Sequence, residues 1–215
     1  MPVAYAEALL DLVAEYGVSR QALFDAARVR PEVLDSPNGR LSFLDFNQLT
    51  YSAQALCGEP ALGLVLGQRL NVSAHGILGY AVLSSANLGK AIQFALKYYR
   101  VLGLAYELEL VLDDGRAELR AVESMPLGAA SVFAAEGLMA TLYSIACFLV
   151  GEPLQDVRVG FAYPPPAHAR RYAEVFGAFA GHKVVLRTLD AGSDKPLAFA
   201  TLPDEPNPAL GVRGY

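Results

Sequence analysis

The sequence predicts an α+β fold, with N-terminal helices packed against a small, mostly antiparallel sheet and a central apolar helix. Three observations predict it. Residues 3–103 carry apolar positions at helical spacing, interrupted by Gly, Pro, Ser and Asn signals. Residues 105–122 switch to strict alternation around an Asp113-Asp114-Gly115 turn. Residues 128–150 are apolar on every side, and strand and helix patterns alternate after them.

Each element has a local cause. Residues 3–16 form a first helix that stops at Gly17, and Ser19 caps a second over 19–28. The Pro-Asn-Gly at 37–39 is a turn. Ser42 caps a third helix to about Leu56, closed by Gly58, and Pro60 opens a fourth over 60–69. A short apolar helix spans Gly76–Leu83, and Asn87 caps a longer one that ends at Gly103. Ala105–Leu112 and Arg116–Val122 pair as a hairpin with one solvated face. After the apolar helix, strands are expected over 156–163, 183–188 and 197–201, with a helix over 167–176 between the first two.

Composition excludes several classes. Apolar residues are 53% and charged residues 18% of the 215-residue chain, enough for a core and too apolar for general disorder. A net charge of −5 and a pI near 5.2 oppose the basic footprint of a nucleic-acid binder. Cys57 and Cys147 lie in apolar stretches and read as buried, reduced thiols. Glu7, Asp11 and Glu15 give the N-terminus the pattern of an amphipathic helix, not of a signal peptide, so a cytoplasmic location is expected. Residues 128–150 are long enough to span a bilayer. Glu136 lies in mid-segment, however, and no Lys or Arg occurs between Arg120 and Arg158, so a packed core helix is the expectation.

No phosphate-binding glycine loop, nucleophile elbow or zinc-protease motif occurs, so no catalytic residue, cofactor or metal site is assigned and an enzyme is not expected. His75, His168 and His182 are scattered; the last two are expected to be exposed, and His75 to cap or pack at a helix start. Asp113 and Asp114 are explained by turn chemistry. Glu136 is the residue local physics least explains. A lone carboxylate in a 23-residue apolar segment must be paired, protonated or near water. Two readings follow: an ion pair with Arg100 or Lys97, or a recognition group at a pocket wall.

The pocket reading places an apolar cavity between the helix at 87–102, the helix at 128–150 and the inner face of the sheet. Ala91, Ala95, Ala129, Ala130, Ala134 and Gly137 would leave room there. The candidate ligand-binding residues are Tyr80, Tyr98, Phe133, Glu136, Met139 and Tyr143, with the tyrosines offering hydroxyls at the rim.

The blocks LGLVLG at 62–67, HGILGYAVLSS at 75–85 and YYR at 98–100 carry a resemblance. So do the hairpin, the Glu136 helix, the VRVGFAYP strand at 157–164 and RYAEVFG at 171–177. Over most of residues 5–180 the chain resembles the N-terminal arabinose-binding-domain-like segment of AraC/XylS-type transcriptional regulators, in the subgroup of ornithine and virulence regulators. Residues 178–205 match more loosely. The resemblance implies an effector-sensing and oligomerisation domain over 1–203 and the start of a linker at 204–215. The tail is too short for a helix-turn-helix domain. It further implies a small-molecule effector, a homodimer, and DNA contact only through a C-terminal domain outside this chain. The apolar composition suits an apolar or amphipathic effector better than a sugar. The alternative is a stand-alone lipid- or haem-type binding protein with no DNA-linked role.

Overall fold

The computed structural model describes residues 1–35, 39–113, 116–154, 157–177 and 184–189. Six helices come first: α1 Val3–Glu15, α2 Arg20–Ala27, α3 Phe43–Cys57, α4 Leu62–Arg69, α5 Ile77–Leu83 and α6 Leu88–Tyr98. The hairpin β1 Tyr106–Asp113 and β2 Arg116–Glu123 follows, then α7 Ser131–Val150, β3 Val157–Gly160, α8 Arg171–Phe176 and β4 Val184–Leu189. The order and type of these elements agree with the α+β expectation.

The expected caps are in place. Ser19 Oγ accepts the Ala22 N–H at 3.2 Å, Ser42 Oγ the Asp45 N–H at 3.0 Å, and Asn87 Oδ1 the Lys90 N–H at 2.9 Å. Each satisfies a donor that the first helical turn leaves without a partner. Boundaries moved where a tighter turn competes. The helix expected to run on to Gly103 stops at Tyr98 and continues as a 3-10 turn, Tyr99–Leu102. A 3-10 turn over Val72–His75, capped by Asn71, precedes α5. Residues 197–201 and His182 lie outside the described residues.

The sheet is mixed, which corrects the mostly antiparallel expectation. Its strand order is β1-β2-β4-β3. Only β1 and β2 pair antiparallel, with Leu108 opposite Ala121 and Leu110 opposite Leu119, whereas β4 runs parallel to both β2 and β3. The cause is the crossover. β3 reaches β4 through α8, and a helical connection lets the second strand run in the same direction as the first. Alternation marks a strand without fixing its direction.

α7 is the hub of the fold. With its leading turn, Gly128–Val150, it is long and apolar enough to cross a membrane by length and composition. Its first half is packed: Phe133, Ala135, Glu136, Met139 and Ala140 are all buried. Its last turns are not, since Phe148 and Val150 are 66% and 44% exposed, so the expectation of packing on all sides fails at that end. α4 lies directly on α7 because it offers glycine at the contact. A Cβ on Gly63 would stand 2.5 Å from the Phe133 carbonyl oxygen. One on Gly67 would run into the Gly137 carbonyl and lie 2.7 Å from Ala140 Cβ.

Three apolar clusters surround α7. The first joins α1, α2, α3 and α4 through Leu9, Leu10, Leu23, Leu49 and Leu62. The second packs the sheet against α7 and α8 through Leu119, Val157, Met139, Tyr143 and Phe176. The third joins α5, α6 and the turn after it through Leu78, Val82, Ala91, Tyr99 and Leu102.

Candidate functional site: an apolar cavity with buried polar groups

A cavity of about 150 Å³ opens where these three clusters meet. α1 supplies Tyr5, α3 Phe43 and Phe46, α4 Leu66, and the Val72–His75 turn its terminal histidine. From the other side come Leu78 and Val82 of α5, Ala95 of α6, Tyr99 and Leu102 of the following turn, and Tyr106 of β1. α7 closes it with Phe133, Ala134, Gly137, Leu138, Thr141 and Leu142. The wall is overwhelmingly apolar. Among the described residues it contains no Asp, Glu, Lys or Arg side chain.

Its polar side chains are few: Tyr5, Asn47, His75, Tyr99, Tyr106 and Thr141. Tyr5 Oη lies 2.6 Å from His75 Nδ1, with the two rings edge to face at 5.5 Å. His75 Nε2 and Tyr99 Oη are both buried with no hydrogen-bond partner among the described residues. Burial holds the His75 imidazole down at about 4, opposed by the Leu70 backbone carbonyl, so the ring is neutral at pH 7. Burial also pushes the Tyr5 and Tyr99 hydroxyls above the usual phenol range. The Tyr5 and Tyr106 hydroxyls raise Tyr99 further. By contrast, Thr141 Oγ1 is satisfied, lying 2.7 Å from the Gly137 carbonyl and 3.1 Å from that of Gly67.

Of the six candidate residues, the structure puts one on the cavity wall, Phe133. Tyr80 is 62% exposed on the outer face of α5. Tyr98 is exposed as well, its ring against Phe94 at 4.7 Å and under Lys97 Nζ at 5.3 Å. Glu136, Met139 and Tyr143 share one face of α7, as their spacing requires, and that face turns toward the sheet and α8. The cavity is lined by other positions of the same helix. The small residues behaved similarly: Ala95, Ala134 and Gly137 line the cavity, while Ala91 is packed in the third cluster.

Glu136 is fully buried, and its partners were not the expected cations. Oε1 lies 2.5 Å from His168 Nε2 and accepts the Tyr172 hydroxyl at 2.7 Å. Tyr163 extends the chain, 3.2 Å from Tyr172 Oη. Arg100 pairs instead with Glu107 at 3.1 Å. Burial raises the Glu136 carboxyl above its ordinary range, and the hydrogen bonds from Tyr172 and His168 oppose that rise. His168 is therefore not exposed as expected, its side chain being 9% accessible. His168 stands in the turn that leads into α8, and Tyr172 in the first turn of α8 itself. Cys57 and Cys147 are free, as expected, but half-buried rather than buried.

Sequence reasoning missed Tyr5, Tyr99 and Tyr106 as cavity residues and gave His75 only a packing role. Each sits on a different element, so no local spacing connects them.

Comparison with known proteins now decides the family. Residues 17–180 match the model of the arabinose-binding domain of AraC transcription regulators, N-terminal. The chain belongs to that family. The ornithine utilization regulator of Pseudomonas aeruginosa is 90% identical over 203 residues, which is 93% of this chain and 60% of that regulator. The chain thus spans 60% of the length of this curated relative. Two phosphoenolpyruvate-protein phosphotransferases match over 43 residues, 20% of this chain and 8% of each of them. That of Streptomyces coelicolor is 65% identical and that of Haloferax volcanii 56%. These matches cover too little of either enzyme to show its family, and the family matched is one of regulator domains.

Proposed function

We propose that this chain is the effector-sensing part of an AraC-type transcription regulator, that it contributes to dimerisation, and that its cavity takes a small apolar or amphipathic metabolite. The observation that carries this reading is the cavity itself, with apolar walls at the junction of all three clusters. Concave, mostly apolar sites with a few polar groups are the usual form of small-molecule pockets.

The relative's name concerns ornithine. Ornithine is charged at its amines and carboxylate, and this wall has no Asp, Glu, Lys or Arg side chain to oppose those charges. Burying an isolated ion is far more costly than burying a neutral polar group. A less polar metabolite therefore suits the cavity better. Phe133 keeps its assignment as a wall residue, joined by Tyr5, His75 and Tyr99. Glu136, Met139 and Tyr143 are assigned to the packing that holds α7 on the sheet and α8. A lipid- or haem-type role fits less well, because a cavity of about 150 Å³ is small for so large a guest.

DNA contact is assigned to another part of the regulator, in keeping with the net charge of −5 here, and the setting proposed is cytoplasmic. The test is a thermal-shift screen of small neutral compounds against the native chain and Ala134→Phe, whose added ring would occupy the cavity. An effector at a hundredfold excess over its Kd stabilises the native protein by roughly 2.7 kcal/mol. The variant should show no shift; equal shifts in both proteins would move the site elsewhere.

A further inference from the structure

We infer that Asn47 is the polar anchor of the cavity and that the molecule it selects is a small neutral amide. The ligand carbonyl accepts from Asn47 Nδ2–H, the ligand N–H donates to Oδ1, and the apolar walls hold the rest. This rests on the cavity reading above and names the chemical class of the ligand.

Asn47 stands apart among the polar side chains of the wall. Tyr5 and His75 hold each other at 2.6 Å, and Tyr99 Oη and His75 Nε2 are sealed off from the open space. The Tyr106 hydroxyl lies 3.5 Å from the Ser131 carbonyl, and Thr141 Oγ1 is bonded to the Gly67 and Gly137 carbonyls. The Asn47 backbone carbonyl accepts the Thr50 hydroxyl at 2.9 Å, but the carboxamide has no hydrogen-bond partner among the described residues. Nor does it belong to the sealed polar atoms, so Oδ1 and Nδ2 both keep accessible surface.

The sequence of α3 explains this placement. Ser42 caps the helix, and Phe43, Phe46 and Asn47 follow within its first turns, all three lining the cavity. Around the helix, Phe46 and Thr50 are buried on one side of Asn47, and Leu44 and Tyr51 are exposed on the other. Asn47 is accordingly half-buried, at the border of the face that α3 turns to the cavity. An amphipathic guest would keep its polar group there and its apolar body inside. A carboxamide presents a donor and an acceptor side by side, and a second amide presents the same pair in reverse. A ketone would use half of that pair. A carboxylate would meet one donor group and no cation, and an ammonium no anionic side chain. The size also fits, because a cavity near 150 Å³ accepts a guest about as large as benzene.

The test uses rings of nearly equal size, 2-piperidone, cyclohexanone and cyclohexane, in NMR titrations of the labelled 215-residue chain. Each should shift the amides of cavity-lining residues, and Ala134→Phe should abolish those shifts. Asn47→Leu should weaken 2-piperidone about tenfold, cyclohexanone about threefold and cyclohexane by less than about twofold. Asn47→Ala should give the same order of losses. Neither variant removes a side-chain hydrogen bond of the fold, so the amide spectra outside the cavity should stay native. Equal losses for all the probes in Asn47→Leu overturn the inference and leave the cavity reading standing. Equal losses for 2-piperidone and cyclohexanone overturn it as well, since the ligand N–H would then have no part in the match. Failure of every probe to bind overturns the inference together with the cavity reading.

Discussion

The pH dependence of stability reports directly on the buried imidazole of His75. Unfolding returns the ring to water, where it titrates near 6.5; in the fold, burial holds it at about 4. The depressed value means that the fold favours the neutral ring. Its contribution is therefore complete above 6.5 and is lost as the pH falls through the window from 6.5 to about 4. A displacement of that size corresponds to roughly 3 kcal/mol. Other groups titrate in the same range, and the raised Glu136 carboxyl acts in the opposite sense, favouring the fold as it becomes protonated. They are common to the native protein and to His75→Gln, which keeps a polar side chain and cannot titrate. The difference between the two isolates the ring. Urea unfolding at about pH 7.5 and about pH 4 should show the native protein losing roughly 3 kcal/mol more than His75→Gln over that interval. Parallel losses in the two proteins would mean that the ring is solvated in the fold.

Further expectations concern the packing around α7. Gly67→Ala places a methyl group against the Gly137 carbonyl and Ala140, and should destabilise the protein by about 3 kcal/mol in urea melts; a change below about 1 kcal/mol would mean that α4 does not lie on α7 as described. Tyr172→Phe withdraws a hydrogen bond from the buried Glu136 carboxylate and should cost about 1–3 kcal/mol, with an unchanged far-UV circular dichroism spectrum; full native stability would show that the network is open to water. Tyr80→Ala and Tyr98→Ala, at exposed positions, should each stay within about 0.5 kcal/mol of native stability and leave probe binding unaltered. Loss of binding in either would return those tyrosines to the site.

Much of the fold was legible because its causes are local. Ser19, Ser42 and Asn87 marked helix starts by the bond each makes three residues on. The hairpin was legible because strict alternation marks both of its strands. Strand direction was not, since the parallel placement of β4 depends on how α8 carries the chain back to the sheet. At the site, periodicity correctly grouped Glu136, Met139 and Tyr143 on one face of α7. It could not say which neighbour that face meets. A helix apolar all round has no polar side to orient it, and α4 turned the Ala134–Gly137–Thr141 side toward the cavity. The polar lining of the cavity was the least accessible to reading, because Tyr5, His75 and Tyr99 come from separate elements.

Native mass spectrometry of the chain purified from its own host tests the central claim most directly, with Ala134→Phe prepared in parallel. The account predicts a small neutral adduct on the native protein that is absent from the folded variant. Identical spectra for the two proteins would contradict it.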